Sequence, residues 1–330
     1  MPNDFPVPRN PNFPVDLRIQ PSRPPAYSTD HPIDETNFGP VAQERAIREY
    51  GIAGRVWEAA YMMNLYICPS SHMEFDPPFI DVSTESKPLS LIELGSGTGI
   101  VASHLARLLK PGRDRLIVTD LPEVCPLLEG NLEHVKLQLN REFPNTLLIR
   151  PLSWGKTRDI QALTFELSPS KPDGSISGFL THIICSDLVY FPELLAPLLR
   201  TLLHLSTPNF PLPNLQNKGN IGDCSPTILM SYKIRSLAKE APFWSAFGLW
   251  FDFRPVLFRE TTPSVGEWQR FGLNFGDTSF LFIACRRPDS FGWQIPDSDQ
   301  DLLGGVGANG TASRKCDDTF ENLLLMGLAE

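Results

Sequence analysis

The chain is poor in the features that would tie it to a metal, a membrane or a nucleic acid. Its six cysteines (68, 125, 185, 224, 285 and 316) are scattered over 330 residues, and no two form a C-x-x-C pair. That spacing suggests neither a zinc site nor a disulfide framework and favours a reducing compartment. No apolar run approaches the length of a membrane span, and residues 1–30 lack the apolar stretch of a secretory signal. Positive charge is also short: 29 Lys and Arg stand against 38 Asp and Glu, a net charge of −9. Such a balance disfavours wrapping nucleic acid through its phosphates, whereas an acidic face attracts a basic protein partner. The expectation is a soluble, cytoplasmic monomer with no membrane or nucleic-acid partner and no metal. No repeat at solenoid spacing is present.

What the chain does contain is 42% hydrophobic and 20% charged residues, enough for a substantial core in one large domain or two small ones. Proline-studded residues 1–40 read as an extended, flexible leader. Residues 41–287 hold the regular patterns. Residues 288–330 read as a polar, Gly- and Asp-rich tail, with a short amphipathic helix expected over 319–328. Residues 206–226, rich in Pro, Asn and Gly, read as an insertion.

The organising stretch is 89–101. Leu89 to Leu94 is an apolar run broken by Ser90 and Glu93, the pattern of a strand covered on both faces. Gly95-Ser96-Gly97-Thr98-Gly99 follows, and then apolar residues at 101, 102, 105, 108 and 109 at helical spacing. A strand, a glycine turn and a helix make a cradle for a nucleotide, because bare backbone lets a ligand approach closely and the helix start offers unpaired N–H groups. A dinucleotide site asks for G-x-G-x-x-G, but the third glycine comes early here, at Gly99. Glu93 at the strand end would repel a phosphate, whereas it suits the cationic amino-acid end of S-adenosylmethionine.

Further strands are expected at 115–120, 146–150, 179–186, 227–232 and 280–285, with one more entered from the aromatic segment 243–253. Helices are expected at 56–65, at 121–140 and after Pro192, whereas 69–88 and 155–178 read as loop-rich. Asp120 ends the second strand at a distance past the glycine turn where a carboxylate can take a ribose diol; an N-cap for the next helix is the other reading. Trp57 is open between a core aromatic and a ligand contact. Trp154, after the third strand, is open between covering an adenine face and plugging the interior. Asp187 and Tyr190 follow the fourth strand, at the sheet edge where open α/β sheets bind ligands. An acid and a phenol there suit an incoming amine, the acid orienting the nitrogen and the ring stabilising a cationic transfer state. A helix cap and a packing residue are the alternatives.

Together these pieces resemble methyltransferase family 16, the seven-strand lysine methyltransferase group acting on chaperones and translation elongation factors. The resemblance is carried by Val56-Trp57-Glu58-Ala59-Ala60, Glu93-Leu94-Gly95-Ser96-Gly97-Thr98-Gly99, Thr119-Asp120, Ser153-Trp154-Gly155 and Ser186-Asp187-Leu188-Val189-Tyr190. It covers roughly Gly51 to Arg287; the leader, the insertion and the tail lie outside it. It implies an α/β, Rossmann-like class I fold with a mostly parallel seven-strand sheet and helices on both faces. It also implies S-adenosyl-L-methionine held by Trp57, Glu93, Gly95, Ser96, Gly97, Asp120, Trp154 and Ser186, and a substrate lysine met by Asp187 and Tyr190. The expected activity is protein-lysine N-methylation of an elongation factor (1-alpha favoured) or a chaperone. A small-molecule amine N-methyltransferase is the first alternative, and a non-catalytic cofactor-binding interaction protein the second.

Overall fold

Leu91, Ile92 and Leu94 are fully buried and Glu93 is 1% exposed, as a strand covered on both faces requires. That strand, β1 (Ser90–Leu94), is an interior strand, third in the order of a seven-stranded sheet, in a computed structural model that describes residues 12–14, 17–25, 34–80, 88–167, 180–207, 225–262, 264–276 and 278–327. The other strands are β2 (Arg115–Asp120), β3 (Leu147–Pro151), β4 (His182–Ser186), β5 (Thr227–Lys233), β6 (Phe251–Pro255) and β7 (Ser279–Arg286). Their spatial order is β3-β2-β1-β4-β5-β7-β6. Strands β1 to β5 run parallel, and β7 lies antiparallel between β5 and β6. The order reverses between β1 and β4, which opens a crevice beyond their carboxyl ends. This is the α/β, mostly parallel seven-strand arrangement expected.

Alternate strand residues feed two cores, as the two-residue period demands. Leu91, Leu116, Val118, Ile184 and Leu229 pack on one face against α2 (Glu58–Ile67), α3 (Ile100–Ala106) and α4 (Cys125–Asn140). Ile92, Leu94, Ile117, Ile183 and Met230 pack on the other against α6 (Pro192–Leu205) and α7 (Leu237–Trp250). A preceding helix, α1 (Pro40–Tyr50), leads into the turn Gly51–Gly54. No helix of the described residues is long and apolar enough to cross a membrane.

Four segments differ from the sequence expectation. Within the stretch read as loop-rich after Gly155, α5 (Thr157–Leu167) forms and buries Ile160 and Leu163, an i,i+3 pair too short to announce a helix; residues 168–179 lie outside the described residues. Within 69–88, Met73–Asp76 is a strand pairing antiparallel with Leu257–Glu260 and burying Phe75 against Phe258 and Phe271; residues 81–87 lie outside the described residues.

In the proline-rich leader, buried Ser22 exchanges hydrogen bonds with the Gln43 side-chain amide of α1, and its hydroxyl donates to the Val56 carbonyl. The rest of the leader is described only in part: 1–11, 15–16 and 26–33 lie outside the described residues, as do 208–224 of the insertion. In the tail, the short helix expected over 319–328 forms as α9 (Thr319–Gly327); what differs is that it and a further short helix, α8 (Asp299–Leu303), place Phe320 and Leu302 in the core beside α7.

Candidate active site

The glycine turn owes its shape to backbone that side chains resist. Gly95 and Gly97 have φ of +55° and +54°. A Cβ on Gly95 would lie 2.8 Å from both Leu188 Cδ2 and Trp154 Cζ2. A Cβ on Gly97 would lie 3.0 Å from the Ala53 carbonyl oxygen. The turn is tied to β2 by two bonds: Ser96 N–H donates to the Thr119 carbonyl at 3.0 Å, and Gly97 N–H donates to Asp120 Oδ2 at 2.7 Å.

Beyond this turn lies a cavity of about 570 Å³, within the size range of small-molecule sites. All ten residues singled out from the sequence line it: Trp57, Glu93, Gly95, Ser96, Gly97, Asp120, Trp154, Ser186, Asp187 and Tyr190. They come from five segments, and the sheet order brings them together: β1 lies directly between β2 and β4. Asn12 and Leu17 of the leader also line the cavity, a contribution the leader's composition gave no sign of.

Glu93 is buried, and its Oε2 and the neighbouring Ser96 Oγ have no hydrogen-bond partner of normal geometry among the described residues. Burial pushes the Glu93 carboxyl up to about 8, against the opposing pull of the Ser96 hydroxyl, with the Asp120 charge adding to the rise. Burial also pushes Asp120 up to about 6, although the Gly97 and Leu121 N–H groups favour its charged form. Both readings of Asp120 bear on one side chain. It holds the Leu121 N–H through Oδ1 at 2.7 Å and lines the cavity, while α4 itself begins later, at Cys125. Two neighbouring carboxyls, one with an orphaned oxygen, suit a ligand that brings a cation and hydroxyl donors. The bare glycine backbone and the Trp154 ring against it offer room and a flat apolar wall. The cleft therefore fits the amino-acid and nucleoside ends of S-adenosylmethionine.

Trp57 does not join the core stripe of α2. It stands at the N-cap position with extended backbone, and its indole N–H donates to the Ile52 carbonyl at 3.0 Å. Two guanidinium groups stand over its ring, Arg55 at 4.6 Å and Arg235 at 4.9 Å from the centroid.

At the other wall, Ser186 Oγ accepts from Ser231 Oγ at 3.1 Å, and β4 then turns sharply at Asp187 (φ +63°). The Asp187 N–H donates to the Ser231 carbonyl at 2.7 Å, which fixes the backbone there. Its carboxylate is gripped by both terminal nitrogens of Arg235, with Nη1 to Oδ1 at 2.6 Å and Nη2 on Oδ2. The acid expected to orient an amine thus already has a cationic partner. The Tyr190 ring packs edge-on against Phe191, their centroids 4.8 Å apart. Burial, with the nearby Asp120 and Asp187 charges, raises its phenol above the ordinary value. Arg235 was missing from the sequence reading. Its only signal was an arginine just past the fifth strand, at the edge where Asp187 ends the fourth.

A profile of the lysine methyltransferase family matches residues 41–246. Two curated relatives are the protein N-lysine methyltransferases METTL21A of Xenopus tropicalis, 27% identical over 163 residues, and of Danio rerio, 26% identical over 160. Each match covers 48% of this chain and 58% of the relative, so the chain spans a little over half the length of these curated relatives. Among solved structures, an O-methyltransferase of Bacillus cereus aligns over 69% of this chain and 80% of its own at 12% identity and a TM-score of 0.33, a likeness too low to bear on function. The family profile runs from α1 into α7 and takes in more than half of the sequence, and the chain belongs to the lysine methyltransferase family.

Proposed function

We propose that the chain is an S-adenosylmethionine-dependent protein-lysine N-methyltransferase of the cytoplasm. Its proposed substrate is a translation elongation factor, with elongation factor 1-alpha the first choice, or a chaperone, and it works as a monomer. The observation that carries the reading is the direct pairing of β1 with β4. The glycine turn after β1 and the Asp187–Tyr190 pair after β4 thereby share one cavity, so a methyl donor on the first and an amine on the second would be neighbours.

In this reading Glu93, Gly95, Ser96, Gly97, Asp120, Trp154 and Ser186 hold the cofactor, with Trp57 closing the wall. Bound S-adenosylmethionine would supply an electrophilic methyl group on a cationic sulfur. The lysine nitrogen, directed by Asp187, would take that methyl group through its lone pair, with the electron pair of the lost S–C bond left on sulfur. The methylated nitrogen then carries the positive charge. The Tyr190 face stabilises that charge, and the apolar walls keep water out. Asp187 accepts a hydrogen bond from the amine and sets its direction; it does not act as a strong general base.

The test is transfer of a labelled methyl group into a cell extract, followed by tryptic mass spectrometry of the marked protein. Methyl-lysine on an elongation factor or chaperone peptide is the expected result. Label confined to small amines would replace the reading with the metabolite enzyme, and cofactor binding without turnover with the non-catalytic protein.

A further inference from the structure

Arg235 is held on several sides. Besides forking onto Asp187, it has Nη2 3.7 Å from Glu58 Oε2, its guanidinium over the Trp57 ring, and Nη1 donating to the Lys233 carbonyl at 3.1 Å. Its main-chain N–H donates to Glu240 Oε2 at 3.2 Å. To swing away it would have to abandon all of its side-chain contacts, so it is a fixed part of the cleft. The Asp187 side chain is 1% exposed and that of Arg235 is 28% exposed, so the guanidinium is the member of the pair nearer to solvent.

A lone carboxylate at this depth would bind an incoming lysine as ammonium, the form that has no lone pair to give. The pair removes that bias. The surrounding charges leave no excess of negative groups on this side of the cleft. Asp187, Glu58, Glu193 and Glu240 are four negative groups, and Arg55, Lys156, Arg235, Lys233 and Lys239 are five positive ones. Glu58 is itself paired with Arg55 at 2.5 Å, and Glu240 accepts from the Tyr232 hydroxyl and from the Ser236 N–H. Across the cleft, burial raises the Asp120 carboxyl to about 6 and that of Glu93 to about 8, and both groups are the same in the wild type and in any Arg235 variant.

We propose that Arg235 is a positioning residue that cancels the charge of Asp187, so that the cleft takes the acceptor lysine as the neutral amine. The inference rests on the reading above of Asp187 as the residue that meets the amine. The lysine gives its proton to bulk water before entry, and Asp187 keeps only its directing hydrogen bond.

The test uses n-butylamine as a probe for the full chain saturated with S-adenosylhomocysteine, with affinity measured by calorimetry from pH 7 to pH 9. The wild-type chain is expected to bind about tenfold more tightly per pH unit, in step with the neutral fraction of an amine whose pKa lies near 10.4. Arg235→Gln bares the carboxylate: its affinity at pH 7 should exceed the wild type's by about tenfold or more and lose most of its pH slope. Arg235→Lys, which keeps the charge, should follow the wild type. A flat or falling wild-type profile, or equal slopes in wild type and Arg235→Gln, would overturn the proposal; if Arg235→Gln does not fold, the wild-type slope alone decides. Methyl transfer is read separately. A wild-type chain that binds amine with the expected slope but transfers no methyl group would remove the proposed activity and leave the role of Arg235 standing.

Discussion

The Gly97 N–H donates to Asp120 Oδ2 at 2.7 Å, so the acid at the tip of β2 fastens the glycine turn after β1. Its other oxygen takes the Leu121 N–H at the same distance. Each carboxylate oxygen keeps a further lone pair, so one side chain can clasp the turn and still accept from a ribose diol.

Asp120→Ala removes an acceptor shared by two half-buried N–H groups. Hydrogen bonds to a charged partner contribute about 1.5–3 kcal/mol, and the variant should lose stability on that scale in urea denaturation. Its affinity for S-adenosylhomocysteine should fall at least about tenfold, since the turn loses its anchor together with a ligand contact. Weaker ligand binding with unchanged stability would show that the clasp contributes nothing to the fold.

Glu93 sets a pH dependence whose sign follows from burial. Its folded pKa of about 8 lies above the value of an exposed glutamate, so the folded chain holds a proton that the unfolded chain has lost. Without cofactor, stability should therefore fall as the pH rises from about 4 to about 8, by at most about 1.4 kcal/mol per unit from this group. Asp120, raised to about 6, adds the same sign over the lower part of that range. Glu93→Gln should flatten the profile and be the more stable form at pH 8. A cation placed at Glu93 should expel the proton. Calorimetry of S-adenosylmethionine binding at pH 7 in two buffers of different ionisation heat should then show proton release by the wild type and much less by Glu93→Gln.

Asp187→Ala separates the two halves of the cleft. The methyl acceptor loses its directing carboxylate, and transfer should drop by about 10²-fold or more. The freed Arg235 still has Glu58 3.7 Å away to receive it, which limits the disturbance to the acceptor side. Affinity for S-adenosylhomocysteine should stay within about threefold of the wild type, since the glycine turn, Glu93 and Asp120 are untouched. Parallel loss of affinity and transfer would assign Asp187 to the cofactor cradle instead.

What the sequence made legible was whatever depends on near neighbours. Strands β1 to β5 are short apolar runs bounded by turn residues, and nine of the ten candidate residues sit in or just past such runs, so their meeting in one cavity follows from the sheet order; Trp57 reaches it from the N-cap of α2. The Asp187–Arg235 fork joins residues 48 positions apart and has no local pattern. The Ser22–Gln43 pairing is hidden by leader prolines that read as flexible chain. In α5, among the side chains described, Ile160 and Leu163 point to a core, too few to outweigh the polar residues around them. The tail misled by its composition, because its fit rests on single side chains in a polar background.

That fit supports the last test. Phe320 of α9 is 2% exposed and stacks on Trp244, with centroids 4.8 Å apart and planes 15° from parallel; Tyr232, Phe280 and Phe282 stand around it. Polar ties hold the same segment down. The Asp317 N–H donates to the Ser245 carbonyl at 3.2 Å, and Arg200 of α6 pairs with Asp299 at 2.6 Å. Phe320→Ala empties a site lined by aromatic rings that cannot collapse into it, and such changes cost about 3–5 kcal/mol. Trp244 packs on β5 and β7, away from the cofactor cradle, so the fraction that remains folded should bind S-adenosylhomocysteine with unchanged affinity. Urea denaturation and calorimetry together read both effects. A loss below about 1 kcal/mol would mean that residues 288–327 lie on the domain without completing its core.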